Sequence, residues 1–388
     1  MTTISTLLYN VFMARKKYTA ALIGCGRIGY SLGLDRKREQ PASHNMALKD
    51  NPRIKIVAGC DTDETKLIHW HEANKKAIVY PDSATLYSRT KTDIVTIAVN
   101  ENAHMREAID AIRSKPRLII LEKPVALNLR EAERIKEEAD EHQVNILINH
   151  ERRFAEDFIA AKKYMSKIGE LQSIRAELCS SLVVYNRAEE KTGAYSLIHD
   201  GTHLVDAVLF FLEEDGKPSE VKKVPEKKER SGLLSKAENR NDEVRTEFKT
   251  INTILNNPVM SGIYRDEKGN VRQMSAHYST EKCPDVSIVI SGRSRFFGFE
   301  IVITGTEGRI CIGNGFLKFY KREKSSLYTG FYSLKSDKRI KAPKKTLYFA
   351  NMVKNAVEFL DGKKPLRSTL QTGINALAVL EEIKEKLK

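Results

Sequence analysis

The chain has 388 residues, long enough for two buried cores, because a single core stops growing near about 250 to 300 residues. Its 41% hydrophobic and 30% charged residues are those of an ordinary water-soluble protein, and no apolar run reaches the ~18 residues of a membrane span, which excludes a transmembrane chain. The net charge of +14 is spread along the chain and mixed with acids, without the basic clusters of a nucleic-acid module, so solvated helix faces are expected, with an anionic substrate or cofactor as the alternative.

Residues 1–16 lack the basic segment and small-residue cleavage site of a signal peptide, so they are expected to be an extension outside the fold, with Met13 a candidate start. The five cysteines stand singly, with no C-x-x-C spacing, and are read as free thiols in a reducing cytoplasm; no metal site is expected.

From Lys17 to His150 short apolar runs alternate with longer amphipathic ones, the signature of repeated βαβ units. The predicted strands are "YTAALIG", "IKIVAGC", "AIVY", "DIVTIAV", "LIIL" and "VNILIN". Between them, "NLREAERIKEEADEHQ" places Leu129, Ala132 and Ile135 on one helical face. Residues 17–150 therefore read as one doubly wound parallel α/β domain. After His150 the helices between strands disappear: "LQSIRAELCSSLVV" and "FFGFEIVITGTEGRICIGNGFLKFYKR" predict a second domain, residues 151–388, with a mainly antiparallel open sheet. The charged stretch from Glu213 to Thr250 reads as surface loops, and two helices, Tyr348 to Leu360 and Thr369 to Leu387, close the chain.

The first strand runs into "GCGRIG". Gly24 allows a tight turn, Gly26 lets the backbone approach a pyrophosphate, and Gly29 lets helix and strand pack closely, with Arg27 and Ile28 between them at a helix N-terminus suited to an anion. Asp61 ends the second strand, where a carboxylate accepts hydrogen bonds from ribose hydroxyls and repels a 2′-phosphate, favouring NAD over NADP. Asp61 follows the glycines at more than the usual ~20 residues, and the polar stretch "SLGLDRKREQP" is read as an insertion ahead of the helix. The alternatives are a tight turn without ligand and a strand-end cap.

Lys123 leaves the fifth strand at the carboxyl edge of the sheet, where ligands of such sheets bind, and Pro124 fixes the turn that aims it; a surface lysine before a turn proline is the alternative. In "SLIHDGTHLVDAVLFFL", a helix beginning near residue 199 would put His199 and His203 on one face, with Asp200 and Asp206 at its edges. Histidines suit proton transfer near neutral pH, but satisfied core histidines, a helix start capped by Asp200, and a His-x-x-x-His metal pair also fit. "HWH" at His69 to His71 cannot face one way on a helix and is given no chemistry.

Together "GCGRIG", "CDTD", "LEKP", "INHERRF", "GELQSIRAEL", "HDGTHLVD" and "ITGTEGRI" resemble the Gfo/Idh/MocA oxidoreductases from Lys17 onward. The resemblance implies an N-terminal Rossmann domain, a C-terminal α/β domain whose open sheet forms a dimer or tetramer, and NAD(P)-dependent redox chemistry on sugars, cyclitols or related polyols. It implies that Glu122 and Lys123 flank the cofactor, that Lys123 contacts substrate, and that His203 is the general acid/base. His199 stands where the family usually carries an acid, with Asp200 adjacent. "VNENAH" keeps His104 of the family's nicotinamide loop and puts Asn100 where proline is usual. Arg152 and Tyr195 are expected substrate contacts, with a salt bridge and packing as alternatives. No nucleic acid or membrane partner is expected. An NAD-assisted glycoside hydrolase and a non-catalytic NAD sensor or scaffold are the competing functions.

Overall fold

The computed structural model describes residues 17–214 and 253–388. The expected N-terminal extension and nearly all of the charged stretch after Glu213 lie outside them.

Nine α-helices and fourteen strands occur among the described residues. The strands β1 (Tyr18–Ile23), β2 (Ile54–Cys60), β3 (Ile78–Tyr80), β4 (Ile94–Ile97), β5 (Leu118–Leu121) and β6 (Asn145–Ile148) form a parallel sheet ordered β3-β2-β1-β4-β5-β6. Every residue of β4 and β5 is buried, as expected of strands covered on both faces. The intervening helices are α1 (His44–Asp50), α2 (Glu64–Ala73), α3 (Ser83–Arg89), α4 (His104–Arg113) and α5 (Leu129–His142). Four of them start where the side chain of Ser43, Asp63, Asp82 or Asn128 accepts a free N–H of the first turn. On α5 the buried residues are Ala132, Ile135 and Ala139, and Leu129 packs at the edge of the same face.

The insertion is not ahead of the first helix but inside its first turn. Tyr30 N–H donates to Gly26 O, and the rod then resumes at residue 44: His44 N–H donates to Ile28 O at 3.1 Å and Asn45 N–H to Gly29 O at 2.9 Å. The backbone hydrogen bonding of one helix thus closes over residues 30–43, which loop out. The Glu39 carboxylate pins this loop by accepting the N–H groups of Thr346 and Leu347.

Beyond α6 (Glu156–Tyr164) comes β7 (Leu171–Cys179), and α7 (Gly201–Leu212) follows it. Strands β8 (Val259–Arg265), β9 (Val271–Tyr278), β10 (Asp285–Ser291), β11 (Gly298–Gly305), β12 (Gly308–Gly313), β13 (Phe316–Lys324) and β14 (Tyr332–Ser336) complete an eight-stranded sheet ordered β14-β13-β12-β11-β7-β10-β9-β8. All neighbours are antiparallel except β7 and β10. Alternate residues of β7 and β11 are buried, so one face is covered. The closing helices α8 (Tyr348–Leu360) and α9 (Leu370–Leu387) return to the first sheet. Phe349, Met352 and Val353 share a core with Tyr18, Leu118 and Ile120, while a Cβ on Gly373 would lie 2.3 Å from Val125.

Candidate active site

Three glycines shape the end of β1 by different means. Gly24 sits at φ +94°, and a Cβ there would lie 2.4 Å from Ala98 O. A Cβ on Gly29 would lie 2.0 Å from Gly24 O, so this residue must be glycine for the turn to close on itself. Gly26 alone faces open space, with nothing within 4 Å of an added Cβ. It borders a cleft of about 430 Å³ with Gly24, Asp61, Ala98 and Asn100.

Asp61 is locked at the end of β2: Cys25 N–H donates to its Oδ2 at 2.7 Å and Asp63 N–H to its Oδ1 at 2.9 Å. Its lone pairs on the cleft side stay available to hydroxyl donors. Asp63, Asp82, Glu107 and Asp110 add to the acidity of the cleft, opposed by Lys66 and Arg106. A cradle open at one glycine, backed by a carboxylate at the second strand, fits a dinucleotide whose adenosine ribose carries free hydroxyls. Arg27 is exposed beside the turn, and Ile28 packs toward the core.

The E-K-P turn is built from inside. Glu122 is buried, its Oε1 2.6 Å from both His44 Nε2 and Asn149 Nδ2. Burial alone would raise this carboxyl; the His44 and Asn149 bonds and the Lys123 charge outweigh it and hold Glu122 below the ordinary glutamate value. Its side chain therefore braces the turn rather than lining the cleft. His104 is likewise buried, with Nδ1 2.6 Å from Pro124 O and Nε2 3.2 Å from Val99 O. Burial lowers its pKa, and a neutral ring has one N–H, so it donates to only one of these two carbonyls, of which Pro124 O is the nearer. Both residues, expected at the cofactor, are buried and hydrogen-bonded behind the strand exits.

Lys123 points the other way. Its Nζ donates to His199 O at 2.8 Å, joining the tip of β5 to the turn before α7. The helix begins two residues later than expected, at Gly201, so His199 lies in the preceding turn, bonded through its N–H to Tyr195 O. Its ring is 45% exposed, with Nδ1 on the Glu101 carboxylate and Nε2 4.0 Å from Asp200 Oδ1. His203, on the first turn of α7, has its pKa pressed well below the ordinary histidine value by burial first, then by the charges of Lys123, Arg152, His150 and His199. Those charges place the strand-tip lysine, Arg152 and the histidine pair in one electrostatic neighbourhood.

Arg152 lies over the Phe299 ring at 3.8 Å and pairs with Glu151 at 3.1 Å. Tyr195 is buried and donates to Glu189 at 2.8 Å, which ties up its hydroxyl locally. Asp206 belongs to a buried cluster: Arg153 donates to both its oxygens at 2.8 and 2.9 Å and to Glu213 at 2.7 and 2.8 Å, and His150 Nδ1 lies 2.8 Å from Asp206. His69 stacks edge-on against Tyr30, and Trp70 is core, so "HWH" is structural. Among the described residues no three His, Cys, Asp or Glu side chains gather as a metal site.

Sequence reasoning missed His44, displaced from the glycines by the loop-out, and Glu101, whose partner lies 98 residues away. The signal for Glu101 was its place in "VNENAH", one residue beyond the cleft residue Asn100.

A six-stranded doubly wound sheet with an open glycine turn and an acid at the second strand defines a dinucleotide-binding Rossmann protein. Residues 18–150 match the Gfo/Idh/MocA family model, described as an oxidoreductase family with an NAD-binding Rossmann fold. Scyllo-inositol 2-dehydrogenase (NADP(+)) IolW of Bacillus subtilis (strain 168) is 28% identical over 127 residues, 30% of this chain. The match spans about a third of that relative's length, 34%. A dehydrogenase from Chromobacterium violaceum superposes with a TM-score of 0.70 at 13% identity, covering 96% of each chain. The WlbA dehydrogenase from Bordetella pertussis, solved with NADH and UDP-GlcNAcA, gives 0.67 at 15% identity over 96% of this chain and 97% of its own. At these identities the two structures share the fold.

Proposed function

We propose that the protein is a nicotinamide-dependent dehydrogenase or reductase acting on a hydroxyl or keto carbon of a sugar, cyclitol or related polyol. Residues 17–150 hold the dinucleotide, with Gly24, Gly26 and Gly29 around the pyrophosphate and Asp61 on the ribose. Residues 151–388 provide most of the substrate side. NAD is preferred over NADP, because the fixed Asp61 carboxylate and the acids near it in the cleft repel a 2′-phosphate.

The observation that carries this reading is the Lys123 ammonium bonded to the His199 carbonyl, which joins the carboxyl edge of the parallel sheet to the histidine turn. When bound, the dinucleotide supplies the hydride acceptor. Lys123 holds the substrate oxygen and stabilises its developing negative charge. An imidazole of the 199–203 segment takes the hydroxyl proton. Arg152, with its ring-stacked guanidinium, orients substrate from the second sheet.

The exposed face of the eight-stranded sheet supports self-association. Phe296 and Phe297 just before β11, Phe331 just before β14 and Tyr332 at the start of β14 are all more than half exposed, apolar side chains at this sheet that a dimer or tetramer would cover. Light scattering after size exclusion checks this: a monomer at micromolar concentration would refute it.

The reaction is tested by absorbance at the NADH band over a panel of polyols, with calorimetry of NAD and NADP binding. Reduction with at least one polyol and tighter NAD than NADP are expected. Absence of heat with either dinucleotide sinks the proposal.

A further inference from the structure

The looped-out residues 30–43 lie against the part of the chain that carries Arg152. Glu39 accepts the N–H groups of Thr346 and Leu347 at 2.9 and 2.7 Å, and Thr346 O in turn accepts Glu156 N–H at 2.8 Å. Asn351, on the first turn of α8, donates to Phe154 O at 3.0 Å. The loop, the start of α8 and the 3₁₀ turn Glu151–Phe154 are therefore one hydrogen-bonded hub.

Two side chains at this hub keep open donors. The Arg152 guanidinium is fixed 3.8 Å over the Phe299 ring, and its side chain is only 11% exposed, yet it bonds a single carboxylate, Glu151, through Nη1. Its Nε and Nη2 have no hydrogen-bond partner among the described residues. The half-buried Tyr348 hydroxyl has none among them either, although the charges of Glu151, Arg38, Glu39 and Arg152 all act on it. Burial first and Glu151 next raise this phenol, so it keeps its proton and can donate. The acids nearby are already engaged: Glu39 on two backbone N–H groups, Asp35 with Arg38 at 3.4 Å, Glu151 on Arg152, and Asp157 on Phe158 N–H. Lys344 and Lys345, beside Thr346, are exposed and have no ion pair among the described residues. Arg152 and Lys123 both act on His203, so the open donors border the neighbourhood of the strand-tip lysine.

We infer that the substrate carries an oxyanion, a phosphate monoester or a carboxylate, held by Arg152 and Tyr348 with Arg38 on its outer side, while Lys123 takes the reacting oxygen. The inference rests on the dehydrogenase reading above. Nε and Nη2 share one edge of a guanidinium, so an oxyanion accepts from both at once. Stacking on Phe299 fixes that edge without using its donors. A neutral hydroxyl offers one oxygen and no charge to these donors, whereas an oxyanion offers several acceptors and compensates the cations. Part of the chain's net charge of +14 is concentrated here, since Arg36, Lys37, Lys344 and Lys345 surround the hub and draw an anion toward it. The loop-out thus has a role in substrate selection: it brings Arg38 to a site whose other members lie more than a hundred residues away.

The test uses the full chain and matched compounds: glucose, a glucose phosphate monoester and glucuronate, and inositol with its phosphate monoester. Binding is read by calorimetry with NAD present, and turnover by NADH absorbance. The anionic member of each set is expected to bind about tenfold or more tightly than its neutral partner. Most of that advantage should vanish at about 1 M salt, where the screening length is about 3 Å. The order of phosphate and carboxylate within the glucose set says which oxyanion the site takes. Arg152→Lys keeps the charge but loses the fork and should weaken the anionic member most, by about tenfold or more. Tyr348→Phe should cost it about tenfold, and Arg38→Ala, on an exposed side chain that folding does not need, about two- to fivefold. Neutral members should change less in each variant. Equal or absent binding of the anionic members overturns the inference, as does an anionic preference that survives intact in both Tyr348→Phe and Arg38→Ala. NADH formed from neutral polyols alone overturns it and keeps the dehydrogenase reading. Phosphate-ester binding that is lost in Tyr348→Phe, with no NADH formed from any compound, supports the anion subsite and overturns the dehydrogenase reading.

Discussion

The glycine turn and the histidine turn of the candidate site are built on opposite principles. At the glycine turn the backbone itself is the binding surface: Gly24 and Gly29 are required by atoms of the same turn and the adjacent strand, and only Gly26 is free to face a ligand. At the histidine turn the surface is made of side chains and carbonyls from segments far apart, with Lys123 and His199 76 residues distant and Glu101 and His199 98 apart. Local backbone constraint makes the first half robust to its surroundings. Dependence on distant partners makes the second half tunable and fragile.

The largest expected effect is at Lys123. Lys123→Met should cut turnover by about a thousandfold, from lost charge stabilisation of the substrate oxygen, while dinucleotide affinity measured by calorimetry changes little. Turnover within a few-fold of wild type would remove Lys123 from the chemistry.

Next in size is the buried ion cluster beneath α7. Arg153→Met leaves Asp206 and Glu213 without their guanidinium and should destabilise the fold by about 3–5 kcal/mol in urea titration. A loss below about 1 kcal/mol would mean that water or His150 takes over, and the histidine-turn half would then be less dependent on distant pairing than its geometry suggests.

The glycine pair sharpens the contrast from the other side. Gly29→Ala should lose about 1–3 kcal/mol of stability from overpacking, because its Cβ collides with Gly24 O. Gly26→Ala should fold as wild type yet bind NAD about tenfold more weakly, since its methyl enters the cleft. Equal stability losses in both would erase the distinction between a self-closing turn and a ligand-facing one.

The smallest effect is a pH slope. His203 has a folded pKa below its unfolded value of 6.5, so the unfolded chain binds the extra proton as pH falls. Its contribution is complete above about pH 6.5 and is lost progressively on acidification. Denaturation midpoints measured from pH 7.5 to 5 should fall more steeply in the wild type than in His203→Gln. Parallel slopes would show that the ring titrates normally.

Much of the architecture was legible in the residues. The alternation of apolar runs and amphipathic stretches gave six parallel strands within a residue or two, and the loss of that rhythm after His150 marked the antiparallel sheet. The boundary errors have physical causes. Within the β-rich stretch that reaches Val184, the strand stops at Cys179. The α7 helix starts at Gly201 because residues 196–200 form a turn anchored on Tyr195 and Ser196.

By itself the sequence determined what depends on neighbours along the chain: strand and helix periods, the helix caps, the conformational freedom of three glycines, and a lysine at a strand tip. Only the tertiary structure decided which side chains meet. It looped residues 30–43 out of a helix so that His44 reaches Glu122, turned Glu122 and His104 inward as braces, and brought Glu101 to His199. Backbone preferences act over a few residues and leave a period in the sequence. A hydrogen bond between residues about a hundred positions apart leaves none, because its geometry comes from the packing of two sheets.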